Sequence, residues 1–184
     1  MHERRFHGNI ERLRSPERLE RLEVDRVVEL CLGIFPARSM LDVGAGTGIF
    51  AEAFAKLGLK VSGIDANPEM LESARVFVPE GRFQTAPAEA IPFRDASFDL
   101  VFLGHVLHEA DDPLAALREA RRVARQGVAV LEWPYIEEAH GPQLAHRLKP
   151  ETVHALAEQS GFEHIDLHIL THMSLYCMKF TPLL

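Results

Sequence analysis

Residues 39–48 read Ser-Met-Leu-Asp-Val-Gly-Ala-Gly-Thr-Gly, a short apolar stretch that runs into three glycines within five residues. This pattern predicts a β-strand over 39–43 that turns directly into a helix. Glycine lets the backbone turn sharply without Cβ clashes, and it lets a ligand lie against the chain. Because tight turns between a strand and a helix also use glycine for packing, the stretch alone predicts a local fold and not a ligand.

Strand-like and helix-like segments alternate on both sides of this turn. The predicted strands cover residues 39–43, 60–65, 82–85, 98–103, 128–132, 162–170 and 173–180. Helices are predicted after Ser15, Gly48, Asn67, Asp112 and Lys149. The first of these is expected to continue until Gly33 and Pro36 stop it. The alternation predicts an α/β fold, a Rossmann-like doubly wound seven-stranded sheet that is mostly parallel with an antiparallel C-terminal strand.

The composition is that of an ordinary globular protein. The 184 residues are 47% hydrophobic and 26% charged, which predicts a single domain over residues 1–184. No apolar run approaches the ~20 residues that a membrane-spanning helix needs, so we expect no membrane insertion. The charged stretch Met1–Arg5 does not resemble a signal peptide, so we expect a cytoplasmic location.

Charge and cysteine content exclude further classes of function. The net charge is −7, and an acidic chain argues against nucleic acid as a partner because such binding depends on phosphate neutralisation. Arginines cluster within 4–21 and 118–125, where interleaved glutamates at helical spacing indicate solvated helix faces. Cys31 and Cys177 lack metal-ligand spacing and are expected to be buried, inert thiols.

An acid follows the glycine turn at the end of the next strand. Asp65 lies 17 residues beyond Gly48, where a carboxylate can accept both hydroxyls of a ribose. A dinucleotide-binding turn needs Gly-x-Gly-x-x-Gly, but Ile49 stands where its third glycine would be. No Gly-Lys-Ser/Thr follows either, so the turn is not a phosphate-binding P-loop. The pattern therefore favours a ribose-containing ligand other than a dinucleotide.

These motifs together resemble a known family. The matching segments are 41–48, 63–71, 88–93, 97–101 and Glu119 with Arg122-Val123. In this order and spacing, over about residues 38–132, the chain is similar to class I S-adenosylmethionine-dependent methyltransferases. It most resembles their small-molecule group, the enzymes of ubiquinone and menaquinone biosynthesis. The resemblance implies S-adenosylmethionine as cofactor, S-adenosylhomocysteine as product and a small-molecule methyl acceptor as partner.

The resemblance also implies roles for individual residues. The residues implied at the methionine and ribose portions of the cofactor are Asp42, Gly44, Ala45, Gly46 and Asp65. Those implied around the adenine are Ala66, Met70, Ala88 and Glu89, and those near the transferable methyl are Leu103, Gly104 and His105. Two positions depart from the family pattern. Pro87 replaces a frequent acid, which puts one adenine contact in doubt, and Gln126-Gly127-Val128 replaces the usual turn before the fifth strand.

Two histidines are candidates for a catalytic role. Methyl transfer needs a general base only if the acceptor must lose a proton, and imidazole titrates in the appropriate range. We therefore expect His105 and His108 as catalytic candidates, with a structural role as the alternative for His108. Trp133 and Tyr135 follow the fifth strand and are candidates for the wall of an acceptor pocket. His164, His168 and His172 are expected on one solvated strand face, so no metal site is predicted.

Three functions remain open at this stage. The first is methyl transfer to a small molecule. The second is methylation of RNA or protein, although Leu103–Val106 stands where methyltransferases of exocyclic base amines carry Asn/Asp-Pro-Pro-Tyr. The third is cofactor binding without turnover. The resemblance implies an α/β core over 37–184 and an N-terminal helical lid region over 1–36. Because such a core fills nearly the whole chain, acceptor recognition is expected from residues 1–36 and from the loop over 133–149.

Overall fold

The computed structural model describes residues 10–181 and contains one sheet with helices on its two faces. The helices are α1 (Pro16–Leu22), α2 (Val24–Ile34), α3 (Ile49–Lys56), α4 (Pro68–Phe77), α5 (Pro113–Val123) and α6 (Pro150–Gln159). The strands are β1 (Ser39–Val43), β2 (Lys60–Asp65), β3 (Arg82–Thr85), β4 (Phe98–Gly104), β5 (Ala124–Glu132), β6 (His164–Ile169) and β7 (Ser174–Lys179). Short 3₁₀ turns occupy Ile10–Arg14 and Leu144–His146.

The sheet has the predicted architecture. Its seven strands run in the order β3-β2-β1-β4-β5-β7-β6. β7 is antiparallel to both of its neighbours, and the pairs among the first five strands are parallel. Val43 is paired with Ile64 of β2 on one side and with Leu103 of β4 on the other. The carboxyl ends of the central strands therefore meet at one edge, where open α/β sheets bind their ligands.

Two apolar layers hold the helices against the sheet. On one face, α2 and α3 pack through residues such as Val27 and Phe54 against Phe102 of β4. On the other face, α5 and α6 pack through Leu117 and Val153. The predicted caps are confirmed, since the side chains of Ser15, Asn67 and Asp112 accept hydrogen bonds from the first turns of α1, α4 and α5.

The N-terminal helix is interrupted, which the sequence pattern did not predict. Glu23 has a left-handed φ of 45° and separates α1 from α2, and Gly33 lies inside α2 instead of ending it. The Oε2 atom of Glu23 accepts a hydrogen bond of 2.7 Å from the backbone N–H of Thr171. The hydrogen-bond partner of Glu23 thus lies 148 residues away along the chain. Local sequence periodicity therefore could not predict this helix break. Residues 1–9 of the predicted lid region lie outside the described residues.

The predicted turn at residues 126–128 is wrong. β5 begins at Ala124, directly after α5, and its pairing with β4 shifts register between Phe98 and Leu100. Gly127 lies inside the strand, where a Cβ would come within 2.2 Å of Cε1 of Phe35. An irregularity in the strand therefore takes the place of the expected turn.

Cys31 and Cys177 are buried, as predicted, and the neighbouring Cys177 thiol together with burial raises the pKa of Cys31. His164 and His168 lie on the edge strand β6, whereas His172 lies in the turn that leads to β7. Among residues 10–181, no cluster of three or more His, Cys, Asp or Glu side chains is arranged to hold a metal ion. None of the helices in that range is long and apolar enough to cross a membrane.

Candidate functional site

The glycine turn between β1 and α3 forms the floor of the candidate site. Gly44, Gly46 and Gly48 have φ values of 66°, 53° and 77°, a region that residues with a Cβ rarely adopt. A Cβ on Gly44 would come within 2.2 Å of Cγ2 of Val106, so the loop after β4 lies against this turn. Among the described residues, a Cβ on Gly46 would meet only the carbonyl oxygen of Gly44, at 4.0 Å. The backbone of Gly46 is therefore open to a ligand.

Asp65 is fixed beside this open backbone. Its Oδ2 accepts a hydrogen bond of 2.8 Å from the N–H of Gly46, and its Oδ1 accepts one of 2.8 Å from the N–H of Asn67. Each carboxylate oxygen can accept more than one hydrogen bond. The half-buried carboxylate thus ties β2 to the glycine turn.

Asp42 is buried beneath the turn. Its Oδ2 accepts a hydrogen bond of 3.1 Å from the N–H of Ala51 in the first turn of α3. Burial, with a smaller contribution from the charge of Asp65, raises the pKa of Asp42 to about 8. The side chain is therefore protonated at neutral pH in the protein without ligand.

Thr47 supplies an independent sign of a binding site. Its side chain is 2% exposed, and its Oγ1 has no hydrogen-bond partner among the described residues. Buried hydroxyls nearly always have a partner, so an unpartnered one in a ligand-binding turn calls for an explanation. Together with the open backbone of Gly46 and the carboxylate of Asp65, it fits a ligand with a ribose and further polar groups.

The residues implied around the adenine differ in their solvent exposure and in their hydrogen bonds. Met70 is buried, Ala66 is exposed and Ala88 is half-buried. Glu89 is engaged elsewhere, because its Oε1 accepts hydrogen bonds from the N–H groups of Asp111 and Asp112, at 2.8 and 3.3 Å. Its carboxylate therefore caps the entry to α5.

At the end of β4, Leu103 points into the core and is fully buried, whereas Gly104 is half-buried at the edge. His105 follows with a left-handed φ of 60°, and its N–H donates to the carbonyl oxygen of Leu131. A left-handed histidine is uncommon, and such positions concentrate at functional sites.

The His105 ring stacks on Trp133, with ring centroids 4.8 Å apart, and its Nε2 lies 3.1 Å from Sδ of Met173. A thioether can only accept a hydrogen bond, so Nε2 carries the proton and Nδ1 keeps its lone pair. Burial lowers the pKa of His105 well below its ordinary value, and the positive charges of Arg18 and His108 lower it further. His105 is therefore a neutral imidazole at pH 7.

His108 differs from His105 in both burial and charge. Its Nδ1 lies 2.7 Å from Oε2 of Glu132, and its backbone N–H donates to Oε1 of the same carboxylate. Both side chains are buried. Burial disfavours the imidazolium, but the charge and hydrogen bond of Glu132 outweigh it, so the pKa of His108 is raised. This pair fastens the loop after β4 to the end of β5.

The loop after β5 is organised by a buried arginine. Arg147 donates hydrogen bonds to the carbonyl oxygens of four residues, and its guanidinium lies over the ring of Trp133. The four carbonyls belong to Pro134, Ile136, His140 and Pro142. Of the two expected wall residues, Trp133 is buried against His105 and Tyr135 is exposed.

The sequence analysis did not single out Glu132, Thr47, Met173 or Arg147. An acid at the end of the buried run 128–132 was a usable signal for Glu132, because parallel strands end at the ligand-binding edge. Nothing in the local sequence marks Met173, since its partner His105 lies 68 residues away. Nothing marks Arg147 either, since its partners are backbone carbonyls of an irregular loop, which no sequence pattern specifies.

Comparisons with known proteins agree with this geometry. The family model of a methyltransferase domain matches residues 41–131. The chain is 35% identical over 125 residues to demethylmenaquinone methyltransferase from Renibacterium salmoninarum, covering 68% of this chain and 51% of that protein. It is 40% identical over 89 residues to the demethylmenaquinone methyltransferase of Chlorobaculum parvum, covering 48% of this chain and 37% of that protein. The chain thus spans about half or less of the length of these curated relatives.

A solved structure matches over almost the entire chain. The structure of a SAM-dependent methyltransferase from Aquifex aeolicus gives a TM-score of 0.81 at 25% identity, covering 94% of this chain and 97% of that one.

Proposed function

The chain belongs to the class I S-adenosylmethionine-dependent methyltransferase family, and from this we propose that it transfers a methyl group from S-adenosylmethionine to a small-molecule acceptor. The observation that carries the proposal is the joined arrangement of Gly46 and Asp65. The open backbone of Gly46 and the fixed carboxylate of Asp65 adjoin at the carboxyl edge of the sheet, beside the buried hydroxyl of Thr47, which has no hydrogen-bond partner within residues 10–181.

The residues of the turn would hold the cofactor. Asp65 would accept the ribose hydroxyls, the turn over Gly44–Gly46 would line the ribose and methionine portions, and Ala66, Met70 and Ala88 would flank the adenine. When bound, the cofactor supplies an electrophilic methyl on a sulfonium whose leaving group is a neutral thioether. The protein then contributes mainly positioning and exclusion of water.

The acceptor would lie at the end of β4. Gly104 is half-buried at this edge, and the stacked pair of His105 and Trp133 lies beside it. The neutral His105 ring, with a lone pair on Nδ1, is suited to accept a proton from an acceptor that has to lose one. His108 is a positioning residue, because its side chain is buried and its Nδ1 is bound to Glu132.

A small acceptor is supported by the relatives. The named activity of the Renibacterium protein is methylation of demethylmenaquinone, a small molecule. The acidic net charge of this chain also disfavours RNA.

Calorimetric titration with S-adenosylmethionine tests the cofactor part of the proposal. We expect saturable binding to the unaltered protein and a roughly 100-fold weaker affinity for Asp65→Ala, because the ribose loses a charge-assisted acceptor. Asp25→Ala removes an exposed carboxylate on α2 and serves as the matched control, with unchanged affinity. If the unaltered protein gives no binding heat, the proposed function is wrong.

Methyl-labelled cofactor and a cell extract test the acceptor part. Label is expected in the small-molecule fraction, and His105→Ala is expected to reduce the rate while leaving cofactor affinity unchanged. Label that enters only RNA or protein would replace the proposed acceptor class. Cofactor binding without transfer to any fraction would favour a binding protein without turnover.

A further inference from the structure

Three contacts fix the histidine that follows β4. The backbone N–H of His105 donates a hydrogen bond of 2.8 Å to the carbonyl oxygen of Leu131 in β5. Its ring stacks on Trp133, with ring centroids 4.8 Å apart and ring planes inclined by 27°. The third contact joins Nε2 of the ring to Sδ of Met173, at 3.1 Å. The backbone, one face and one edge of the imidazole are therefore held by separate segments of the chain.

The contact with Met173 distinguishes the two ring nitrogens, which the stack does not. A ring stacked on Trp133 can flip about its Cβ–Cγ bond and keep the same face contact, so the stack alone fixes neither the rotamer nor the tautomer. The thioether of Met173 has no proton to donate, so a hydrogen bond at this position requires a proton on Nε2 of His105. Nδ1 then keeps its lone pair, and none of residues 10–181 forms a hydrogen bond with it.

Met173 is itself held by the turn between β6 and β7, residues 170–173. A methionine side chain has three rotatable bonds, so its sulfur stays beside Nε2 only if its backbone and surroundings are fixed. Met173 is 1% exposed and packs in the apolar layer that includes Trp133. A backbone hydrogen bond of 2.9 Å from the N–H of Leu170 to the carbonyl oxygen of Met173 closes the turn.

The two middle residues of the turn are anchored to other segments around the site. The backbone N–H of Thr171 donates a hydrogen bond of 2.7 Å to Oε2 of Glu23, where α1 meets α2. Nδ1 of His172 lies 3.1 Å from Oε1 of Glu138, in the loop after β5. The position of the sulfur that follows them is thus set by tertiary contacts to two other parts of the chain.

We propose that Met173 is a positioning residue for His105, which selects the tautomer whose Nδ1 can accept a proton from the methyl acceptor. The inference rests on the proposed function, because it concerns the acceptor of that reaction. Methyl transfer leaves the electron pair of the broken carbon–sulfur bond on sulfur, while the acceptor atom bonds to the methyl carbon. The proton that the acceptor loses would pass to Nδ1, and Nε2–H would stay on the thioether of Met173.

NMR of the ring nitrogens in the isotopically labelled full chain tests the assignment without cofactor. The signals of His105 are identified by their loss in His105→Ala. At neutral pH we expect the unaltered protein to carry the proton of His105 on Nε2. Met173→Leu conserves side-chain volume but offers no acceptor, and we expect the ratio of the Nε2–H to the Nδ1–H tautomer to fall roughly 3- to 10-fold, the equivalent of one hydrogen bond.

Met40→Leu is the matched control. Met40 is fully buried in the same apolar layer, but it pairs with Leu100, toward the opposite end of β4 from His105. The same volume-conserving substitution is therefore made without touching the imidazole. We expect the tautomer of His105 to be unchanged in this variant.

The rate of methyl transfer provides a second measurement, with labelled cofactor and the small-molecule fraction of a cell extract. Met173→Leu should lower the rate roughly 3- to 10-fold, in step with the tautomer ratio, and leave the calorimetric affinity for S-adenosylmethionine unchanged. Met173→Gln offers an amide oxygen to Nε2–H, so it should retain more of the tautomer and of the rate than Met173→Leu. A methionine that only fills space predicts the reverse order, with leucine the better substitute.

The outcomes separate this inference from the proposed function. A proton on Nδ1 of His105 in the unaltered protein at neutral pH contradicts the role of Met173, even if no variant folds. An unchanged tautomer ratio in Met173→Leu contradicts it too, as does a changed ratio at an unchanged rate. Parallel losses of ratio and rate, smaller in Met173→Gln, support it. Failure of the unaltered protein to bind S-adenosylmethionine contradicts the proposed function, whereas the nitrogen spectra still show whether Met173 selects the tautomer.

Discussion

The two halves of the candidate site are built by different means. On the β2 side, the Asp65 carboxylate accepts hydrogen bonds from backbone N–H groups of the glycine turn and of Asn67, between residues that are at most 19 positions apart. On the β5 side, Glu132 and Arg147 fix two loops through side chains that are buried with their charges. The first half depends on backbone shape and the second on buried charged side chains. Substitutions in the two halves should therefore lower stability for different physical reasons.

The largest expected effect tests the β5 side. Glu132→Ala leaves the buried His108 without its carboxylate, and we expect it to lower the free energy of unfolding by about 3–5 kcal/mol. Urea titration monitored by circular dichroism measures this. Glu132→Gln keeps the shape and an acceptor oxygen and should lose less. A loss below about 1 kcal/mol in Glu132→Ala would show that the buried pair does not hold this half together.

Asp42 provides the opposite test on the β2 side. Its pKa of about 8 in the folded protein lies above the ordinary value of 3.8, so the folded state holds a proton that the unfolded state releases between these pH values. Stability therefore falls as pH rises from about 4 toward 8. We expect Asp42→Asn, which can still accept from Ala51, to stabilise the ligand-free protein by roughly 3 kcal/mol at pH 7.

Denaturation at a series of pH values checks this. The gain should shrink as pH falls toward 4 and disappear below about pH 3, where Asp42 is protonated in both states. A gain that is the same at pH 4 and pH 7 would mean that burial of the charge is not its cause.

Two glycines of the turn offer a matched pair of intermediate size. In Gly44→Ala the new Cβ would meet Val106 at 2.2 Å, and we expect a loss of about 2 kcal/mol in stability. In Gly46→Ala the Cβ has open space, so only the left-handed backbone is strained and the loss should be about 1 kcal/mol. Gly46→Ala should weaken the binding of S-adenosylmethionine, because the side-chain methyl of the alanine would occupy the open face of the turn. Equal effects of both variants on stability would contradict the contrast between a closed and an open glycine.

The same division explains how much the sequence could predict. The fold, the caps at Ser15, Asn67 and Asp112 and the positions of the glycine turn and Asp65 follow from local periodicity and turn chemistry. The helix break at Glu23 involves a hydrogen bond to Thr171, and the early start of β5 involves an irregular pairing with β4. Likewise the bond between His108 and Glu132 depends on adjacent strand ends. Such features require tertiary partners, which a local pattern does not encode.

The smallest expected effect concerns Glu89, where the implied role and the observed contacts differ. The family resemblance implies that Glu89 lies beside the adenine, whereas its carboxylate accepts hydrogen bonds from the N–H groups of Asp111 and Asp112, just before α5. We expect Glu89→Gln to lower stability by about 1 kcal/mol, because an acid at a helix N-terminus interacts with the helix dipole. The affinity for S-adenosylmethionine should change less than about threefold, which is under 1 kcal/mol. Thermal unfolding and calorimetry on the same preparations measure both quantities, with the exposed Glu80→Gln as control. A selective loss of cofactor affinity at unchanged stability would instead assign Glu89 to the adenine and extend the β2 half of the site toward α5.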